Sequence, residues 1–183
     1  MNRPHAWNLL TEYTKKDGLI KHALAVEASM RAYANKFGED TEVWGIVGLL
    51  HDFDYEKYPS MEDHPFKGAE ILRKEGVPEN WVKAILSHAS HTGIPRDTLM
   101  AKTLFAVDEL TGFITAVAYV RPSRKLSEVK VKSVKKKMKD KAFARQVNRD
   151  EIKEGAELLG VTLDDHIEFV IQAMQNISDE LGL

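Results

Sequence analysis

The sequence predicts an all-α fold, a single-domain bundle of about seven or eight helices. Apolar residues recur with a helical period along almost the whole chain, and the two-residue alternation typical of strands is nearly absent. Glycine, proline and helix-capping residues divide this pattern into segments of helical length. With 183 residues, of which 43% are apolar, the chain is long enough to bury the core of one domain.

Glycine and a capping residue delimit the first three predicted helices. We expect one helix over residues 6–16, ended by an Asp-Gly pair, and a second over 19–37, ended by Gly38 in a left-handed conformation. Thr41 is expected to cap a third helix, EVWGIVGLLHD, in which apolar residues occur on all sides. Because a helix of this kind has no polar face to expose, we predict that it is buried.

Proline opens the next two predicted helices, and a capping residue opens the long one that follows. Pro65 begins PFKGAEILRKEG and Pro78 begins PENWVKAILSHA, each at the first helical position. Asp97 or Thr98 can cap a long apolar helix that extends to Val120, where an Arg-Pro pair stops it.

The C-terminal third begins with a basic segment. Residues 121–149 contain twelve Lys and Arg against two acids, so the segment carries +10 and the remainder of the chain −12. An apolar stripe predicts one or two amphipathic helices with a solvated lysine face, and contact with an anion is the alternative. Asn148 or Asp150 opens a further helix and Thr162 the last one. We expect residues 121–183 to pack on the same core.

Composition restricts the location and the partners. No apolar stretch reaches the roughly 20 residues that span a bilayer, and the first residues do not resemble a signal peptide, so we expect a cytoplasmic protein without a membrane partner. The absence of cysteine excludes disulfides, thiolate metal sites and cysteine nucleophiles. A net charge of −2 gives no general affinity for nucleic acid, which we do not expect as a partner.

Several side chains that can bind metal fall on apolar faces or at the ends of predicted helices. Asp108 follows Leu104 and Phe105 on an apolar face that has no lysine or arginine to neutralise it. Because an unpaired buried carboxylate is costly, Asp108 needs a cation. A metal would satisfy all six residues in such positions together: His22, His51, Asp52, His64, His88 and Asp108.

In this order the six residues resemble the ligands of the HD-domain metal-dependent phosphohydrolase superfamily. The segments LLHDFDYEKY, HPFKGAEILRKEG, AILSHA and LFAVDELTG are similar to those around the ligands of HDIG-type members. The chain from Arg121 resembles the C-terminal part of uncharacterised predicted hydrolases of the superfamily. The resemblance implies one HD-type domain over residues 1–183, with a metal-site core over about 19–120 and C-terminal helices 121–183 packed on it.

The resemblance also implies the ligands and their roles. It divides them into two sets that share Asp52: His22, His51, Asp52 and Asp108 for one metal, and Asp52, His64 and His88 for a second. His51 and Asp52 would belong to the catalytic centre, and His91 is an additional candidate ligand or substrate contact. One or two divalent ions are implied, and the donor types suit iron, manganese, zinc, nickel or cobalt.

The function that the resemblance implies is hydrolysis of a small phosphorylated substrate, with a nucleotide as the favoured class, by a metal-activated water. Arg121 and Arg124 follow the helix that carries Asp108, so we expect them to contact the substrate. SHASHTGIP lacks the adjacent histidines of members that cleave cyclic dinucleotides, which argues against that activity. Asp54 and Glu56 are expected to be solvated acids of a loop, and the alternative is that they are outer-sphere groups near the metals.

Two other functions stay open. Some HD-fold enzymes use the same donor set to hold two irons and activate dioxygen, so a diiron oxygenase is an alternative. The other is a non-catalytic module in which a structural metal stabilises the helices and the basic segment binds nucleic acid. Such binding would depend steeply on salt.

Overall fold

The computed structural model describes residues 1–183 and consists of helices and turns without any strand. There are ten α-helices: α1 Arg3–Tyr13, α2 Asp17–Phe37, α3 Thr41–Leu50, α4 Phe66–Lys74, α5 Glu79–His88, α6 Leu99–Tyr119, α7 Val131–Met138, α8 Arg149–Leu158, α9 Leu163–Gln175 and α10 Ser178–Leu181. Two three-residue 3₁₀-helices cover Ser90–Thr92 and Leu126–Glu128. The all-α prediction is confirmed.

The helices outnumber the predicted seven or eight because several are short. The segment predicted as one C-terminal helix turns at Ile177, where φ is −123°, and continues as the four-residue α10. The proline predictions are displaced by one residue, since Pro65 and Pro78 occupy the cap positions of α4 and α5 and the helices begin one residue later.

Side-chain capping explains where most of the longer helices begin. Asp40, and not Thr41, caps α3, because its carboxylate accepts the N–H groups of Glu42 and Val43 at 2.9 and 3.0 Å. Thr98 and Asn148 cap α6 and α8 as expected. The first helix begins earlier than predicted, at Arg3, because the side chain of Asn2 caps it.

The core is built around α2, α3 and α6. Helix α2 packs against α3 and α6, and α6 also packs against α5, α8 and α9. Every residue of α3 from Trp44 to Leu50 is buried, as the all-round apolar pattern predicts. Gly48 allows α2 and α3 to approach closely, because a Cβ at this position would lie 2.9 Å from Met30 Cγ and 3.1 Å from the Val26 carbonyl oxygen. This contact holds the C-terminal end of α3 against α2.

The C-terminal helices pack on the same core. Helix α8 crosses α6 at Gly155, where a Cβ would lie 2.5 Å from Ala106 Cα. Helix α9 contacts α2, α6 and α8. These contacts support the proposal that residues 1–183 form one domain. None of the helices combines the length and the apolar character needed to cross a membrane.

Candidate metal centre

The six predicted ligand residues come together at one end of the core. They are His22 in α2, His51 and Asp52 directly after α3, His64 before α4, His88 at the end of α5 and Asp108 in α6. Five of them line a pocket of about 580 Å³. The sixth, His51, is fully buried, and its ring centroid lies 5.1 and 5.3 Å from those of His22 and His88.

The side chains form two groups, each with three donor atoms within 4.8 Å of one another. In the first group, Asp108 Oδ1 lies 3.1 Å from His22 Nε2 and 3.4 Å from His51 Nε2. In the second group, Asp52 Oδ1 lies 3.2 Å from the Nε2 atoms of both His64 and His88. Two imidazoles and a carboxylate in each group are donors of the kind that bind divalent transition metals.

Asp52 connects the two groups. Its Oδ1 belongs to the second group, while its Oδ2 lies 3.7 Å from Nε2 of His51 in the first. The two residues are adjacent at the end of α3, and neighbouring side chains on a helix point about 100° apart. Each group therefore receives one residue of the His-Asp pair, and the carboxylate has one oxygen directed toward each group.

Hydrogen bonds orient three of the histidine rings. The Nδ1–H of His51 donates to the Gly48 carbonyl at 2.8 Å, and that of His88 to the Ile85 carbonyl at 2.5 Å. The Nδ1–H of His64 donates to a carboxylate oxygen of Asp54 at 2.8 Å. With the proton on Nδ1, the Nε2 lone pair of each ring faces the site, which is the arrangement of a metal-binding histidine.

One buried atom supports the fit of a metal to these residues. Nε2 of His51 is buried and makes no hydrogen bond, although Asp108 Oδ1 lies 3.4 Å away. Buried polar atoms nearly always have a partner. A metal ion between His51, His22 and Asp108 would accept this lone pair, so the donor set and its unpartnered nitrogen fit a divalent ion.

Asp54 is buried, which corrects the expectation of a solvated acid. Only 1% of its surface is exposed, and its Oδ2 accepts the Gly68 N–H at 2.7 Å while its Oδ1 accepts from His64. A Cβ at position 68 would lie 2.7 Å from Asp54 Cγ, so glycine allows α4 to pack directly on this carboxylate. Glu56 is partly exposed and accepts the N–H groups of Lys15 and Lys16 just before α2.

The charged groups of the site stabilise one another. Burial alone raises the pKa of Asp52, but when the rings are protonated the charge of His51 and hydrogen bonds from His64 and His88 outweigh it, so the pKa lies well below its usual range. Burial lowers the pKa of His64, but Asp52 and Asp54 outweigh this effect and raise it to about 9. The six residues therefore form a mutually attractive cluster.

Other predicted residues lie apart from the two groups. His91 lines the pocket in the 3₁₀-helix after α5, but its Nε2 bonds to the His64 carbonyl at 3.0 Å. Arg121 and Arg124 do not line the pocket, and Arg121 pairs with Glu128 at 3.4 Å. Contact of either arginine with a substrate stays a prediction. The basic segment reaches the pocket through its uncharged residues Gln146 and Val147.

Two acidic residues of the pocket were not predicted. Glu109 in α6 and Glu151 in α8 also line it. Burial and the neighbouring Asp108 raise the pKa of Glu109 to about 7. No sequence signal identifies Glu151, because its position follows from the crossing of α8 over α6. The sequence does offer one signal for Glu109, since it directly follows the predicted ligand Asp108. That signal is weak, because neighbouring positions on a helix do not face each other.

Comparisons with known proteins found one family model and several relatives that match part of this chain. A family model described as HD domain matches residues 19–112. The chain is 29% identical over 106 residues to a tRNA (cytidine(56)-2'-O)-methyltransferase of Thermoplasma volcanium, a match that covers 53% of this chain and 31% of that protein. It is 31% identical over 106 residues to ribonuclease Y of Lawsonia intracellularis, covering 57% of this chain and 20% of that protein. The chain thus spans less than a third of the length of these relatives, and no solved structure matches it.

Proposed function

The chain belongs to the HD domain family, and on this premise we propose that it is a metal-dependent phosphohydrolase acting on a small phosphorylated compound. The observation that carries the proposal is the pair of three-residue donor groups linked by Asp52 in one pocket. We place the reaction in the cytoplasm and assign it no membrane or nucleic-acid partner.

The six side chains would hold one or two divalent ions. His22, His51 and Asp108 would hold the first, and Asp52, His64 and His88 the second, with Asp52 able to reach both. Iron, manganese, zinc, nickel and cobalt all suit imidazole and carboxylate donors. When bound, such ions supply the Lewis acidity that makes water nucleophilic near neutral pH and attracts phosphoryl oxygens.

The residues of the chain hold and orient the six ligands and determine the charge of the site. His51 and Asp52 form the catalytic centre together with the other four ligands, whose side chains are held by α2, α5, α6 and the loop before α4. Two carboxylates and four neutral imidazoles carry a formal charge of −2, so two divalent ions would leave the site positive and attractive to phosphate. Asp54 positions His64, and the carbonyls of Gly48 and Ile85 position His51 and His88.

The name of one relative supports phosphoester cleavage as the chemistry. Ribonuclease Y is named for the cleavage of RNA, a phosphodiester, and its similarity to this chain extends over 106 residues. Its substrate is not carried over, because the match covers only 20% of that protein. The proposal therefore covers both phosphomonoesters and phosphodiesters as substrates.

The proposal is tested by a metal-supplemented screen of phosphomonoesters, phosphodiesters and nucleotides with the wild type and Asp52→Ala. We expect hydrolysis by the wild type and a loss of at least about a hundredfold in kcat/KM in the variant, because Asp52 serves both donor groups. The matched control is Asp179→Ala, an exposed acid of α10 whose side chain makes no hydrogen bond, and it should retain full activity.

Three results would contradict the proposal. An Asp52→Ala protein as active as the wild type would exclude this site. Less than one metal per chain, in protein never exposed to a chelator, would argue against metal dependence. Oxygen consumption with substrate in iron-loaded protein would favour the diiron oxygenase, and salt-dependent binding to DNA or RNA without any turnover would favour the binding module.

A further inference from the structure

The mouth of the pocket contains no lysine or arginine. Among the fifteen residues that line it there are four acids, Asp52, Asp108, Glu109 and Glu151, and no permanently cationic side chain. The other polar side chains of the lining are the amide of Gln146, the hydroxyls of Tyr55 and Ser90, and the ring of His91. Beyond the proposed ligands and His91, the wall is therefore acidic or uncharged.

The arginines that touch lining residues from outside are engaged elsewhere. Arg96 donates to the Ser90 hydroxyl at 2.8 Å and to the Ser87 carbonyl at 2.9 Å, and its guanidinium lies 3.6 Å from the centroid of the Phe105 ring. Arg149 donates to the carbonyls of Ala144 and Val147. Neither arginine lines the pocket.

This distribution limits how much negative charge the site can accept. With two divalent ions bound, the donor groups carry +2, and the carboxylate of Glu151 reduces this to +1. Glu109 adds no positive charge in either protonation state. A phosphate monoester carries roughly two negative charges, which the two divalent ions can themselves neutralise. A second or third phosphoryl group would add negative charge to a lining that includes Glu151 and has no lysine or arginine to offset the repulsion.

The same lining residues can form hydrogen bonds with the uncharged molecule to which the phosphate is esterified, here called the carrier. Glu151 Oε1 accepts from the Ser90 hydroxyl at 2.9 Å, which leaves its Oε2 able to accept from a ligand hydroxyl or amino group. Gln146 can both donate and accept. A pocket of about 580 Å³ lies within the range that encloses small organic ligands.

We propose that this pocket takes the monophosphate ester of a neutral, hydroxyl-bearing molecule, such as a nucleoside or a sugar, and rejects nucleoside di- and triphosphates. This rests on the proposed function, whose substrate class it narrows. In the reaction, the oxygen of water forms a new bond to phosphorus while the bond from phosphorus to the carrier oxygen breaks. The carrier oxygen takes up a proton from the water, so the products are the free alcohol and inorganic phosphate.

Turnover of AMP, ADP and ATP in excess Mn²⁺ tests this selectivity. We expect kcat/KM of the wild type to be at least about tenfold higher for AMP than for ATP. Glu151→Lys places a cation on the wall, so it should shift the AMP-to-ATP ratio by at least about tenfold toward ATP. The matched control is Glu157→Lys, which makes the same charge change at an exposed position of α8 outside the pocket and should leave the ratio unchanged.

Binding of inorganic phosphate and tripolyphosphate, measured by calorimetry with Mn²⁺ in excess, tests the same selectivity without turnover. The wild type should bind tripolyphosphate no more tightly than phosphate, and Glu151→Lys should strengthen tripolyphosphate binding by at least about tenfold. Tighter binding of tripolyphosphate by the wild type, or faster turnover of ATP than of AMP, would overturn the inference. If no ester is hydrolysed but this binding order holds, the proposed hydrolase activity fails while the selectivity of the pocket stands.

Discussion

Asp54 shows how one residue outside the donor groups can control them. Its carboxylate is fully engaged between the His64 ring and the Gly68 amide, and it lies two residues after Asp52. In metal sites, a carboxylate in this position fixes the tautomer of the histidine and raises its basicity. Asp54 is therefore expected to act through His64 and not by contact with a substrate.

Replacing Asp54 by Asn should weaken metal binding by about ten- to a hundredfold, because the amide can satisfy only one of the two N–H donors that face it. Competitive titration of the metal with a chromophoric chelator measures this affinity. Asp179→Asn, at an exposed site far from any donor group in sequence, serves as the control and should bind metal as the wild type does. Equal affinities for Asp54→Asn and the wild type would remove Asp54 from the site.

The sequence predicts the donor residues better than it predicts the residues that orient them. His22, His51 and Asp108 stand out because they interrupt apolar faces. Asp54 does not, because it lies in an acidic turn, and only the three-dimensional approach of Gly68 shows that it is buried. Gly68 itself occupies a helical position where sequence alone gives no reason for glycine.

At the scale of elements, the crossing of α6 and α8 is set by one glycine. A Cβ at Gly155 would lie 2.5 Å from the backbone of Ala106, which cannot move without displacing α6. This crossing also carries Glu151 to the mouth of the pocket. The helix boundaries were largely predictable from caps and glycines, but the crossing was not, because it depends on which faces meet.

Gly155→Ala should therefore lower the free energy of unfolding by about 1–3 kcal/mol, despite the higher helix propensity of alanine. Urea denaturation followed by circular dichroism measures the change. The control is Gly18→Ala in the first turn of α2, where an added Cβ meets nothing within 4 Å and no loss of stability is expected. A Gly155→Ala protein as stable as the wild type would mean that α8 sits farther from α6.

At the scale of the whole molecule, His166 connects the C-terminal helices to the core. Its Nδ1 accepts the Tyr33 hydroxyl of α2 at 2.6 Å, and its Nε2–H donates to the Ala106 carbonyl of α6 at 2.8 Å. The first bond needs the neutral ring, because a protonated Nδ1 could not accept from the Tyr33 hydroxyl. Burial is the main reason that its pKa is lowered to about 4, and the charge of Lys36 acts in the same direction.

This predicts a loss of stability in mild acid. The unfolded chain takes up a proton on His166 near pH 6.5, whereas the folded chain resists until about pH 4. The stability that the neutral ring contributes is therefore complete above pH 6.5 and lost as the pH falls toward 4, by about 3 kcal/mol at most. Unfolding free energies measured across this range should depend less on pH in His166→Gln. Equal slopes in His166→Gln and in the wild type would contradict the assignment.

The fold class and the position of the candidate site follow from the sequence, because helical periodicity and buried polar residues are local signals. The wall of the pocket does not, because α8 and the 3₁₀-helix after α5 bring it together across 61 residues, from Ser90 to Glu151. The basic segment after α6 reaches the pocket through Gln146 and Val147, which chain order alone does not indicate.

The contact between His22 and Asp108 has a consequence for folding. These residues are 86 positions apart in the chain, and both belong to the first donor group. A metal bound by this group would join two helices that are far apart in the chain, in a protein that has no cysteine to do so. Because this donor group forms only in the folded chain, the metal would stabilise the fold by binding to it, and its release should accompany global unfolding.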